Sequence, residues 1–126
     1  MQRSKTKKTG GLNSRAVAKL VAQAADDVKA VDIEVLDLRK TSAFTDFFVI
    51  ATGRSDRQVR AISDRILENL EKEKMKPIGI EGYRQGHWIL MDYFNVVVHI
   101  FYEEVRSFYA LDRLWGDAPR VTFRFK

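Results

Sequence analysis

TDFFVIATGRSDRQVRAISDRILENL, residues 45–70, changes its hydrophobic period once, at Gly53, and that change decides the fold. Before it, Phe47-Phe48-Val49-Ile50-Ala51-Thr52 is an unbroken apolar and β-branched run, the composition of a strand buried on both faces and therefore central in its sheet. After it, Ser55 and Gln58 stand at capping-box spacing, and Val59, Ile62, Ile66 and Leu70 recur at helical spacing. A buried strand, a glycine turn and an amphipathic helix in immediate succession make an α/β unit. Pro77 marks the end of the helix.

The same two periods recur on either side. Upstream, Asn13 or Ser14 is placed to cap a helix whose Ala16, Val17, Leu20, Val21, Ala24 and Val28 share one face. Asp32–Leu38 then alternates, with Ile33, Val35 and Asp37 on one side and Glu34, Leu36 and Leu38 on the other. Downstream, Ile78–Glu81, His87–Met91 and Asn95–Tyr102 read as strands, the last two joined as a hairpin through Asp92-Tyr93-Phe94. Arg106–Trp115 carries Phe108, Leu111, Leu114 and Trp115 at helical spacing before a stop at Gly116. This order predicts an α/β fold: a single domain over residues 13–118 with a mixed sheet of about five strands and flanking helices. Residues 1–12 read as a flexible basic arm, and 119–126 as a C-terminal extension whose alternation from Val121 to Phe125 suits an edge strand.

Composition narrows the function classes. The chain has 126 residues and no cysteine, which excludes a disulfide scaffold, a thiolate zinc site and a cysteine nucleophile, and suits a reducing cytoplasm. No apolar run approaches the roughly 20 residues of a membrane span, and the N-terminus lacks the apolar core of a secretory signal. The net charge of +5 points to nucleic acid only until it is located. Arg3, Lys5, Lys7, Lys8 and Arg15 lie in the first 15 residues without an acid, leaving 17 bases and 17 acids in the remainder. A neutral body argues against a broad phosphate-tracking surface; the arm allows at most non-specific, salt-sensitive contact with RNA.

Catalytic readings are weak. Thr52-Gly53-Arg54-Ser55 sets backbone N–H groups at a helix start, where an anion can bind, but it has one glycine and neither the P-loop nor the dinucleotide spacing. Asp46, Glu81 and Asp92 are separated singletons, whereas phosphoryl transfer by two metal ions needs clustered carboxylates. His87 and His99 are the only histidines and lack metal-ligand spacing. No serine sits in a GxSxG elbow.

The most informative residues are aromatic and concentrate in the last third of the chain. WILMDYFNVVVHIF at 88–101 and RSFYALDRLWGDAP at 106–119 resemble the signature of the ribosomal silencing factor family, once called Iojap-like. DLRKTSAFTDFFVIATGRSDRQVRAISDRI at 37–66 and the pair Glu81-Gly82 agree with the same family, in order and spacing. The chain departs from the pattern at Phe94, where the family has glycine, at Asn95, where it has an acid, and at Asp112, where it has glutamate.

The resemblance implies a cytoplasmic translation repressor without enzymatic activity or cofactor, in a fold similar to nucleotidyltransferases but without their catalytic acids. It implies binding to the large ribosomal subunit through ribosomal protein fourteen, a block on joining of the small subunit when nutrients are limiting, and a homodimer when free. By the same resemblance the partner contacts fall on Trp88, Met91, Asp92, Tyr93, His99, Arg106 and Tyr109, with Glu81 and Asp92 as acids facing a basic partner. Residue by residue, Trp115 reads as core, whereas Trp88 suits core and an outward-facing anchor equally. The alternative is a nucleotide- or phosphate-ester-processing enzyme of nucleotidyltransferase-like fold, for which carboxylates would have to cluster near Gly53.

Overall fold

The computed structural model describes residues 12–42, 44–109, 118–123 and 125, with 107–109 as backbone only. Its elements run α1 (Ser14–Asp27), β1 (Val31–Asp37), β2 (Phe47–Gly53), α2 (Asp56–Glu71), β3 (Gly79–Glu81), β4 (Trp88–Asp92), β5 (Val96–Tyr102), α3 (Glu103–Tyr109) and β6 (Arg120–Val121). The strands form one sheet in the order β3-β4-β5-β2-β1-β6. Neighbours are antiparallel except β2 and β5, which run parallel from Phe47 opposite Val96 to Gly53 opposite Tyr102. The sheet is therefore mixed and open, with six strands where about five were expected.

Local chemistry sets the helix ends. The Asn13 side chain accepts from the Ala16 N–H at 2.8 Å, and Ser55 accepts from the Gln58 N–H at 3.0 Å. The Gln58 side-chain Oε1 accepts from the Arg54 N–H at 2.7 Å, one residue before the cap rather than at it. Its amide donates to the carbonyls of Val28 and Lys29, so one side chain joins the end of α1 to the start of α2. Helix α2 stops at Glu71, well before Pro77. Lys74 takes a left-handed φ of 62° there, and the Met75 N–H returns to the Leu70 carbonyl, a helix stop made by backbone geometry before proline is reached.

Alternation then sorts the side chains. Helices α1 and α2 pack together on one face of the sheet. On that side Val35, Phe47, Val49, Ala51, Ile89, Met91, Val96, Val98 and Ile100 meet Val17, Val21, Val59, Ile62 and Ile66 in one core. The alanines of α1, with Ala18, Ala22 and Ala25 buried, let that helix approach closely. The other face is different: Leu36, Leu38, Ile50, Phe101 and Ala118 form a smaller cluster, edged by Phe48, Trp88 and Val105 of α3.

The C-terminal alternation is sheet and core. Val121 stands opposite Val35 and Arg120 opposite Leu36, so β6 covers the outer edge of β1. Ala118 belongs to the smaller cluster, whereas Val121, Phe123 and Phe125 pack on the helix-side core, as alternation along an extended segment requires. At the opposite terminus Leu12 is half-buried against the helix-side core, and residues 1–11 lie outside the described part. The third helix begins at Glu103, three residues earlier than its periodicity predicts; its expected course through Leu111, Leu114 and Trp115 to Gly116 also lies outside the described residues.

Candidate functional site

On the face opposite α1 and α2, register places three cross-strand rows. Asp92, Val97, Phe48 and Leu36 form one; Glu81, Leu90, His99, Ile50 and Glu34 the next; Trp88, Phe101 and Thr52 the third. Helix α3 packs over the β2 and β5 end of these rows. Among the described residues the face is more open away from α3: Phe48, Trp88, Leu90, Asp92 and Val97 on β2, β4 and β5 are half-buried, and Glu81 on β3 is exposed.

An aromatic cluster lies at the centre of this region. Trp88 stands directly opposite Phe101, with ring centroids 4.8 Å apart. The His99 imidazole is edge-on to Phe48 at 4.7 Å and stacks with Phe101 at 6.2 Å. The Trp88 indole Nε1–H donates to His99 Nδ1 at 3.2 Å. A neutral imidazole that accepts at Nδ1 carries its proton on Nε2. His99 Nε2 is buried without a hydrogen-bond partner, an arrangement that costs about 1–3 kcal/mol. Burial lowers the pKa of His99 to about 4, so the acceptor lone pair is present throughout the neutral range.

Of the residues expected at a partner surface, Glu81, Trp88 and Asp92 share this face. Asp92 also holds the hairpin turn, accepting from the Phe94 N–H at 2.8 Å. His99 lies beneath Trp88 at 6% exposure, too deep to serve as a contact. Met91 and Tyr93 are on the other side of the sheet, 0% and 2% exposed, because a strand sends alternate side chains to opposite faces and Met91 follows Ile89. Met91 Sδ accepts from Ser63 of α2 at 3.5 Å, and burial raises the pKa of the Tyr93 phenol.

Arg106 is on the sheet side of α3, and its guanidinium is used internally. It donates to the Asp32 carbonyl, to Thr52 Oγ1 at 2.7 Å and to Glu34 Oε2 at 2.5 Å, leaving the side chain 11% exposed. Glu34 Oε1 accepts from Arg120 at 2.9 Å, so one carboxylate ties α3 and β6 to β1. Arg106 is a structural clamp rather than a presented side chain. Tyr109 is placed in α3 by its backbone, and its side chain lies outside the described residues.

Phe48, Leu90 and Val97 complete the open region and are not evident from the sequence. The parity of Val97 with His99 is a usable signal, but adding Phe48 requires the parallel pairing of β2 with β5. Among the described residues no three His, Asp or Glu side chains converge as a metal site, and no helix is long and apolar enough to cross a membrane. Near Gly53, the Ser55 and Gln58 side chains are occupied in capping. A Cβ added at Gly53 would lie 2.9 Å from the Val59 backbone nitrogen, so close helix–strand packing accounts for that glycine.

Residues 12–125 match the family model described as ribosomal silencing factor during starvation. The chain is 39% identical over 114 residues to ribosomal silencing factor RsfS of Bacillus subtilis, covering 90% of this chain and 97% of that one. It is 37% identical over 105 residues to the chloroplastic protein Iojap of Zea mays, covering 83% of this chain but 46% of that longer protein. An X-ray structure of a Chromobacterium violaceum protein superposes with a TM-score of 0.81 at 32% identity, covering 91% of this chain and 95% of that one. The α/β sheet, the strand–turn–helix at Gly53 and the aromatic β4–β5 hairpin thus occur in a chain that belongs to the ribosomal silencing factor family.

Proposed function

We propose that this protein represses translation by steric exclusion: it binds the large ribosomal subunit through ribosomal protein fourteen and so blocks joining of the small subunit when nutrients are limiting. The contact surface is the open region on β3, β4, β5 and β2. Trp88 is its anchor, Phe48, Leu90 and Val97 surround it, and Glu81 and Asp92 form an acidic margin. The observation behind this reading is the half-buried apolar patch around Trp88 with an exposed acid at its edge. Such patches serve as interfaces, tryptophan is enriched among the residues that carry binding energy, and an acidic margin favours a basic partner. The role needs affinity and occupancy, with no reacting group and no cofactor. We place the protein in the cytoplasm, as a homodimer when free, with the basic arm adding at most salt-dependent RNA contact.

The test is sedimentation of purified ribosomal subunits with and without the protein. The expected result is co-migration with the large subunit alone and fewer joined ribosomes, with Trp88→Ala weakening binding by about 2 kcal/mol or more, roughly thirtyfold. Joining that proceeds unchanged, with the protein absent from the large-subunit fraction, refutes the proposal. A monomeric mass for the free protein at micromolar concentration refutes the homodimer.

A further inference from the structure

We propose that His99 is a positioning residue for the partner surface: its Nδ1 holds the Trp88 indole by the Nε1–H, so that the ring is presented in one orientation and is read by the partner through its apolar surface. The inference rests on the partner-binding reading above. Its first support is geometric. His99 is buried beneath Trp88, the donor–acceptor distance is 3.2 Å, and both rings pack on Phe101. Its second support is the unpartnered Nε2. An apolar side chain would fill the space beside Phe48 and Phe101 without burying an unsatisfied donor. What the imidazole adds is the acceptor for the indole.

The indole N–H is thus satisfied within the protein, so a partner needs no acceptor there, and its complementary group is apolar. Without the acceptor, Trp88 would redistribute among its staggered rotamers. The fraction poised for binding, and the affinity with it, would fall about five- to tenfold.

The experiment measures binding of the full-length protein to purified large subunits for wild type, Trp88→Ala, His99→Phe, His99→Asn and the double variant Trp88→Ala/His99→Phe. His99→Phe keeps a ring but removes the acceptor; the Asn Oδ1 occupies the place of Nδ1. The expected results are a five- to tenfold loss in His99→Phe, recovery to within about threefold of wild type in His99→Asn, and no further loss when His99→Phe is added to Trp88→Ala. Wild-type binding by His99→Phe, with Trp88→Ala impaired, overturns the positioning role and leaves the surface standing. Wild-type binding by Trp88→Ala overturns the surface and the positioning role together. Proton exchange of the indole N–H in the wild-type protein checks the hydrogen bond without mutation: strong protection of the Trp88 resonance is expected, and exchange at the rate of an exposed indole overturns the proposal.

Discussion

The two faces of the sheet are built from adjacent residues of the same strands, yet they have different chemistry. The face under α1 and α2 is mostly aliphatic and closed, with Val49, Ala51, Ile89, Met91, Val98 and Ile100 wholly buried beside Phe47 and Tyr93. The opposite face takes the intervening residues, Phe48, Trp88, Leu90, Val97, His99 and Phe101, and includes aromatic rings, a buried imidazole and half-exposed side chains. Dense packing of hydrocarbon stabilises the first. Among the described residues each face keeps one buried polar atom without a hydrogen-bond partner, the Tyr93 hydroxyl on the first and His99 Nε2 on the second, but only on the second does the same side chain hold a neighbour, by accepting from the Trp88 indole.

The contrast can be broken in four places. Phe47→Ala on the closed face should destabilise by about 3–5 kcal/mol, whereas Leu90→Ala on the open face should cost about 1 kcal/mol, both read by urea unfolding. Equal losses would mean that the open face is as much core as the other. The second test is acid. The pKa of His99 is near 4 when folded, below the ordinary 6.5, so below pH 6.5 the unfolded chain takes up a proton that the native chain refuses. Stability should be full above about pH 6.5 and fall by up to about 3 kcal/mol as pH drops toward 4, a window absent in His99→Phe. Among the described residues, the charged or titratable groups on this face are Glu81 and Asp92, with Glu34, Arg106 and Arg120 farther along it. Asp37, whose pKa is lowered by its hydrogen bond to Arg39, loses its contribution only at still lower pH. A flat stability profile between pH 6.5 and 4 would contradict a buried neutral imidazole.

A third test concerns the covered end of that face. Arg106→Met should destabilise by about 2–3 kcal/mol, because Glu34 keeps Arg120 but loses its less exposed partner and Thr52 loses its donor. Ribosome binding by the folded fraction should be unchanged, and a selective loss of binding would return Arg106 to the contact surface. The smallest effect is expected at the hairpin turn. Phe94 has φ of 75°, and the Asn95 N–H closes on the Tyr93 carbonyl across it, a tight turn with a conformation natural to glycine. Phe94→Gly should stabilise by up to about 1 kcal/mol in thermal unfolding, and a loss of stability would show that the ring packs more than its backbone strains.

Much of the fold was legible because the signals are local. Hydrophobic period, caps and glycine place α1, β2, α2 and the β4–β5 hairpin from neighbouring residues alone. The end of α2 was misplaced at Pro77 because Lys74 adopts a left-handed conformation that its sequence does not announce. For the candidate site, Trp88, Asp92 and Glu81 emerged from motif resemblance, but Met91 and Tyr93 were grouped with them although strand parity sends Met91 to the other face and burial takes Tyr93 into the same core.

The sequence by itself determined which segments are strands and helices, that most of the excess positive charge lies in the first eight residues, and which family the chain resembles, since each follows from residue identity and short-range spacing. The tertiary structure decided the parallel pairing of β2 with β5, separated by more than 40 residues of intervening chain, and the addition of β6 to the outer edge of β1. It also decided that Arg106 is a clamp and that His99 supports Trp88 from below. The physical reason is common to all four: an exposed contact and a buried support have the same side chains and differ only in what the rest of the chain places against them.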